Sequence, residues 1–219
     1  FKSQQARWAK GSIQVARKLL PRILASDLPR SVKTEAFFHL TANVGYPLTV
    51  LLSVLMPISI FVRVEHGWYE VLFLDLPFFL MATVSVSSFY ISSQREAGQP
   101  VRERVGYLPF IMALGIGMCV SQAKAVLEGL LGHESEFTRT PKLGITKGGG
   151  SRWNLKKYKG LKNALPVLEL TFAAYLAGAA YLALERHLVA SIPFLLLFTC
   201  GFLYVGASSL WQGLSGRTA

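Results

Sequence analysis

The uncharged stretch Leu40–Val62, LTANVGYPLTVLLSVLMPISIFV, decides the fold of this chain. A helix rises 1.5 Å per residue, so this stretch reaches about 35 Å and can cross a hydrocarbon core of roughly 30 Å with some tilt. The composition agrees, since 52% of the 219 residues are hydrophobic and 16% are charged, whereas soluble domains carry about 25% charged residues. We therefore expect an all-α membrane protein.

Three further apolar runs have the length of transmembrane helices: Val71–Ser92, Leu165–Leu184 and Leu188–Leu210. Each is rich in Leu, Phe and Val, which favour insertion by roughly 0.3–0.6 kcal/mol apiece at the bilayer centre. With Leu40–Val62 they make four predicted transmembrane helices. Glu169 lies in the first turns of the third, where it either faces an interior cavity or reaches the membrane interface, and the sequence leaves both open.

A further apolar run begins at Leu108 but ends too soon to span a membrane alone. Three polar residues follow it at helical spacing: Ser121, Lys124 and Glu128. Gly132 then offers a helix stop. We therefore expect an amphipathic helix over Tyr107–Leu131 that lies on the membrane surface.

The N-terminal segment predicts a second interface helix, over Ser3–Leu24. Its apolar residues recur every three or four positions, and they are Ala9, Ile13, Ala16, Leu20 and Ile23. A polar stripe runs beside them and consists of Arg7, Lys10, Gln14 and Arg17. Because basic residues on such a face suit anionic headgroups, we expect this stripe to face lipid.

The distribution of Lys and Arg predicts the orientation in the membrane. With four spans, Arg63 and Arg186 fall in the short turns on one side, and the remaining 21 of the 23 Lys and Arg residues fall on the other. The positive-inside rule makes that second side cytosolic, with the N-terminus. If Tyr107–Leu131 crossed the membrane, the basic segments around it would lie on opposite sides, so we favour four spans. The net charge of +11 then reflects sidedness, and we expect no nucleic-acid partner.

The segment Gln4-Gln5-Ala6-Arg7-Trp8 carries the chemistry of a phosphate and sugar site on the N-terminal helix. Arg7 offers a planar fork of donors that suits a phosphate. Trp8 offers a flat apolar face that suits the C–H face of a sugar ring. A plain interfacial helix with a tryptophan anchor explains the same residues.

This segment, with its continuation Ala9-Lys10-Gly11, resembles the QxxRW motif of processive family-2 glycosyltransferases. These include cellulose, mannan and hyaluronan synthases. The resemblance implies that Trp8 stacks on the acceptor sugar at the mouth of a membrane channel. It also implies that Arg7 contacts the nucleotide diphosphate and that Gln4 helps to hold the acceptor end.

A second segment, Phe137-Thr138-Arg139-Thr140-Pro141-Lys142, lies in a glycine-flanked loop on the predicted cytosolic side. Threonine hydroxyls with basic side chains can fold over a phosphate and reopen, although an ordinary basic loop has the same composition. The segment resembles the FxVTxK gating loop of cellulose synthase, with Phe137, Thr140 and Lys142 at matching positions and Arg139 in place of the usual Val. The resemblance implies that Phe137 packs near Arg7 and that Thr140 bonds the diphosphate.

The order of parts also resembles cellulose synthase after its catalytic domain. We divide the chain into residues 1–36 with the first motif, 37–93 with two spans, 94–164 with the surface helix, gating loop and basic linker, and 165–219 with two spans. The resemblance implies a UDP- or GDP-linked sugar, a growing polysaccharide and membrane lipid as partners. It also implies a multi-pass protein of the bacterial inner membrane.

The catalytic acids of that family have no counterpart in this chain. Family members hold Mg²⁺ or Mn²⁺ on a DxD motif and use a further acid as general base, whereas Asp27 and Asp75 here have no acidic residue two positions away. The resemblance therefore places the metal ligands and the catalytic residues on a missing N-terminal catalytic domain, and we expect residues 1–219 alone to be inactive. A sugar or lipid-linked sugar transporter and a structural membrane scaffold are the alternative interpretations.

Overall fold

A computed structural model of the protein describes residues 1–68, 72–133 and 164–215, and every regular element in these ranges is a helix. The α-helices are α1 (Lys2–Ala25), α2 (Arg30–Thr41), α3 (Gly45–His66), α4 (Leu72–Glu96), α5 (Val101–Val105), α6 (Leu108–Gly117), α7 (Cys119–Leu131), α8 (Leu165–Glu185) and α9 (Ile192–Ser215). Short 3₁₀ turns over Ala42–Val44 and Val189–Ser191 precede α3 and α9. The predicted all-α class is confirmed for this part of the chain.

Three helical segments in the described ranges are long and apolar enough to cross a membrane: Arg30–His66, Leu165–Glu185 and Val189–Leu214. The count becomes four if the bent pair Val101–Gly117 and Cys119–Leu131 forms one span. In each of the three, at most 33% of the apolar window is buried by the rest of the chain. Water-soluble proteins rarely expose so much contiguous apolar surface, so the chain is a helical membrane protein.

The predicted first, third and fourth spans coincide with these three segments. The predicted second span, Val71–Ser92, corresponds to α4, but it begins outside the described residues and is not among the three. A topology of four spans, and the surface location of the two amphipathic helices, therefore stay predictions.

The chain divides into two compact units by its internal contacts. The first comprises Phe1–Leu48, Cys119–Ala164 and Ser208–Ala219, and the second Thr49–Met118 and Leu165–Ala207. The two units are defined by contacts within the structure, whereas the four segments predicted from the sequence are defined by the side of the membrane on which each is expected.

The first unit is built on α1. This helix begins at Lys2 and ends at Ala25, close to the predicted bounds, and it continues through Pro21. Its apolar stripe packs against α7, with Ala9, Ile13, Ala125 and Val126 forming a small buried cluster. The same helix also touches α2, where the Ser12 hydroxyl donates to the Leu40 carbonyl at 3.4 Å.

Small residues bring the helices of the second unit into close contact. The α-carbon of Gly117 in α6 faces the backbone of Gly201 in α9 so closely that a methyl group on Gly117 would overlap it. On α8, Phe172 stacks on Phe202 of α9 at 5.1 Å between ring centroids, and the Tyr175 hydroxyl donates to the Val54 carbonyl of α3 at 2.9 Å. Such close approach at small residues is typical of helix packing in membranes, where the hydrophobic effect does not drive association.

The predicted single helix over Tyr107–Leu131 is wrong in one respect, because the structure divides it at Met118 into α6 and α7. Gly115 and Gly117 weaken the helix just before the break, since glycine has low helix propensity. The tight contact of Gly117 with Gly201 adds a tertiary constraint at the same place. The predicted stop at Gly132 is confirmed, with φ of 75° at that glycine.

Candidate functional site

The predicted motif residues share one face of α1. Gln4 is followed by Arg7 three positions later and by Trp8 four positions later, a spacing that brings side chains together on a helix. The Trp8 side chain is 60% exposed, while Gln4 and Arg7 are half-buried. The described residues therefore leave the indole surface open to a ligand or to another domain.

This motif face points away from the packing face of α1. The buried positions of the helix are Ala9, Lys10, Ile13 and Ala16. At about 100° of rotation per residue, the centre of the Gln4, Arg7 and Trp8 face lies roughly 160° around the helix from the centre of the buried set. Packing of α1 on α7 thus holds the helix in place without covering the motif.

The prediction that Lys10 belongs to a lipid-facing stripe is wrong. Its side chain is buried, and its Nζ lies 3.0 Å from Oε2 of Glu128 on α7. The two side chains are 11% and 30% exposed, so this ion pair is shielded from water and stronger than a surface pair. Lys124 lies one turn away, with its Nζ 4.0 Å from the same carboxylate, and is 53% exposed. Lys10 therefore joins α1 to α7 and does not serve lipid headgroups.

Arg17 makes a second polar link between the same helices. Its Nη1 donates to the Gly129 carbonyl at 3.1 Å, and a Cβ on Gly129 would lie 3.1 Å from the Lys10 carbonyl oxygen. Gly129 therefore lets the two backbones approach closely. The polar stripe in the sequence predicted that both Lys10 and Arg17 face lipid. The ion pair of Lys10 cannot be seen in that local pattern, because its partner Glu128 is 118 residues away.

The contacts also show that α1 and α7 run in the same direction. Lys10 pairs with Glu128, Ile13 touches Gly129, and Arg17 reaches Gly132, so positions advance together along both helices. About two helical turns before the contact of Ile13 with Gly129, the same register places Gln122 of α7 level with Ala6 of α1. The start of α7 is thus beside the part of α1 that carries the motif.

Gln122 is a residue that sequence analysis did not select. It is completely buried, and neither its Nε2 nor its Oε1 has a hydrogen-bond partner among the residues that the structure describes. A buried amide without partners costs roughly 1–3 kcal/mol, so such positions are rare and call for an explanation. Its only signal in the sequence is a polar side chain within the apolar stripe of α7.

The second predicted motif is not placed by the structure. Phe137, Thr140 and Lys142 lie within 134–163, outside the described residues. The last described part of α7 closes with the His133 amide donating to the Glu128 carbonyl at 2.9 Å, around Gly132 in the left-handed conformation. The predicted meeting of Phe137 with Arg7 therefore stays a prediction.

Glu169 is fully buried in α8. A Cβ on Gly206 of α9 would lie 3.2 Å from the Glu169 Cβ, which places the carboxyl-bearing chain between these two helices. The sequence left open whether Glu169 faces the interior or reaches the membrane interface. Its burial supports the interior position, because a side chain without exposed surface does not reach the interface.

The described residues contain no group of three or more His, Cys, Asp or Glu side chains arranged to hold a metal ion. A divalent cation thus has no donor set in this part of the chain. In comparisons with protein-family models, curated proteins and solved structures, nothing matches this chain.

Proposed function

We propose that this chain is the membrane part of a processive polysaccharide synthase that elongates a β-linked glycan from a nucleotide sugar and exports it. Its catalytic domain lies outside these residues and supplies the general base and the ligands of Mg²⁺ or Mn²⁺. The protein resides in the bacterial inner membrane with α1 and the 134–163 segment in the cytosol. Sugar nucleotides are made there, and the product leaves across the bilayer.

One observation carries the proposal. Gln4, Arg7 and Trp8 share one face of a helix that is fastened to α7 by its opposite face, and the Trp8 side chain on the motif face is exposed. The Phe137–Lys142 segment follows α7 in the sequence, and α7 packs on α1, so the helix with the QxxRW motif is paired with the helix that precedes the gating sequence.

Each motif residue of α1 then has its own role in binding the acceptor or the donor. Trp8 stacks on the terminal sugar of the acceptor, and Gln4 donates a hydrogen bond to one of its hydroxyls. Arg7 holds the diphosphate that leaves when the acceptor hydroxyl attacks the anomeric carbon of the donor sugar. Inversion at that carbon follows from the direct displacement.

The test is Trp8→Ala in the complete enzyme, with its catalytic domain. Loss of a stacking interaction worth about 1.5 kcal/mol predicts roughly tenfold less polymer from a radiolabelled nucleotide sugar in membrane vesicles. Trp68→Ala is the matched control, because Trp68 is 54% exposed and lies outside the motif. We expect that control to retain full synthesis.

Unchanged polymer output from the Trp8 variant, with normal membrane insertion, would contradict the proposal. A tryptophan that only anchors the helix at the membrane interface would give this result, because it requires no stacked sugar.

A further inference from the structure

The second unit contains a cavity of about 330 Å³ at the elbow where α4 gives way to α5 and α6. This volume lies at the lower end of the ~300–1,000 Å³ range of small-molecule sites. The walls are largely aliphatic, formed by Ile91, Val101, Val105, Leu108 and Ile111. A chain of methylene groups fits such walls better than a hydroxyl-covered sugar does.

The cavity lies where a membrane would change from apolar to polar. The apolar part of α4 ends at Ile91, and the next five residues are Ser92, Ser93, Gln94, Arg95 and Glu96. Tyr90 and Tyr107 line the cavity from two different helical segments. Tyrosines concentrate at the headgroup level of membranes, where the ring meets apolar chains and the hydroxyl meets water.

One cation faces this cavity. Arg104 lines it, and its guanidinium has no hydrogen bond or ion pair with any residue that the structure describes. Glu96 and Glu103 are nearby in sequence but do not line the cavity, and Arg95 and Arg102 balance their charges, so Arg104 leaves the local charge positive. An unpaired guanidinium above an aliphatic pocket has the geometry that a phosphodiester with an attached acyl chain requires.

We propose that this cavity binds one anionic phospholipid of the surrounding membrane. The phosphodiester accepts hydrogen bonds from Arg104, and the start of one acyl chain lies along Ile91, Leu108 and Ile111. The two tyrosine hydroxyls and the Gln94 amide are the remaining polar groups of the site. The residues of this site all belong to the second unit and include none of the α1 motif, and the site does not depend on the proposed function.

The test compares Arg104→Gln with Arg102→Gln in the full-length protein, reconstituted in nanodiscs of phosphatidylglycerol and phosphatidylcholine. Both variants lose one positive charge on α5, but Arg102 does not line the cavity. Native mass spectrometry counts the phosphatidylglycerol that stays bound. Loss of a charged hydrogen bond predicts about tenfold weaker retention for Arg104→Gln and no change for Arg102→Gln.

Val105→Trp tests the apolar part of the site while keeping Arg104. Val105 is 41% exposed, so a larger side chain there can fill the cavity without entering a packed core. We expect it to lower phosphatidylglycerol retention several-fold, with a melting temperature close to that of the wild type.

Five results would overturn the proposal. The first four are equal losses in the two arginine variants, full retention in the tryptophan variant, equal retention of phosphatidylcholine and phosphatidylglycerol, and release of bound lipid by millimolar inorganic phosphate. The last would indicate a simple anion site. Release by a β-linked oligosaccharide would likewise overturn it, because the cavity would then belong to the glycan path.

Discussion

At the scale of single residues, Gln122 is the position where the structure departs most clearly from ordinary packing. Its amide is fully buried, and both polar atoms lack partners among the described residues. The register of the two helices places it level with Ala6 but on the α7 side of α1, away from the face that carries Gln4, Arg7 and Trp8.

Gln122→Leu should raise thermal stability and leave polymer synthesis in the complete enzyme unchanged, because the motif lies on the far face of α1. Removing the unpartnered amide predicts a gain of about 1 kcal/mol in the free energy of unfolding. The measurement is the melting temperature in detergent together with product formed from labelled nucleotide sugar. Gln14→Leu is the control, because Gln14 is half-buried on α1 and should change neither. A large loss of stability in the Gln122 variant would mean that the amide already has a polar partner.

Two glycines of α6 provide a second prediction at this scale. A methyl group on Gly117 would overlap the backbone of Gly201, whereas one on Gly115 would meet nothing within 4 Å. Gly117→Ala should therefore cost about 2 kcal/mol or more through overpacking. Gly115→Ala should gain up to about 1 kcal/mol through helix propensity. Thermal melting of both variants in one detergent checks this, and equal shifts would show that α6 and α9 do not approach closely.

At the scale of helices, the contact of α1 with α7 is the feature that positions the candidate site. The Lys10–Glu128 pair and the Arg17 hydrogen bond hold the two helices side by side, and Gly129 allows the close approach. Because the motif lies on the far face of α1, a change in this contact acts on the motif through the helix, without touching a ligand.

A double-mutant cycle tests the contact. Lys10→Met and Glu128→Leu should each destabilise the protein by about 1–3 kcal/mol, since each removes from a shielded charge its partner on the other helix. The double variant should recover most of the loss because both charges are gone. Thermal melting gives the stability, and polymer synthesis should follow it.

Lys124→Met is the control for this cycle. Lys124 is mostly exposed and lies 4.0 Å from Glu128, a geometry that contributes little. Additive losses in the double variant would show that Lys10 and Glu128 do not interact.

At the scale of the whole molecule, the open question is how many times the chain crosses the membrane. Three described segments qualify, and the bent pair Val101–Gly117 with Cys119–Leu131 would add a fourth. The topology of four spans predicted from sequence instead uses Val71–Ser92 as the second span and leaves Tyr107–Leu131 on the cytosolic surface.

Cysteine labelling distinguishes these topologies. In a background without Cys119 and Cys200, we expect Ser26→Cys, Gln99→Cys and Ser151→Cys all to react with a membrane-impermeant maleimide in inverted vesicles and not in intact cells. Gly67→Cys should show the opposite pattern, because the turn after α3 is predicted on the other side. Labelling of positions 26 and 99 from opposite sides would show that α4 does not cross the membrane, and labelling of positions 99 and 151 from opposite sides would show that the segment 101–131 does.

The sequence by itself determined the class of the protein. Long apolar runs indicate membrane helices because insertion depends on local composition, which needs no knowledge of neighbours. The bounds of α1 and the stop at Gly132 followed from periodicity and from the backbone freedom of glycine. The common face of Gln4, Arg7 and Trp8 followed from their spacing alone.

Only the tertiary structure decided what lies between the helices. It turned Lys10 inward to Glu128, buried Gln122 and divided the helix at Met118. Each of these outcomes depends on a partner far away in the chain, as with the 118 residues between Lys10 and Glu128. A basic residue on an amphipathic helix has the same local sequence pattern whether it faces lipid or a buried carboxylate. Only the packing of α1 on α7 distinguishes these two environments for Lys10.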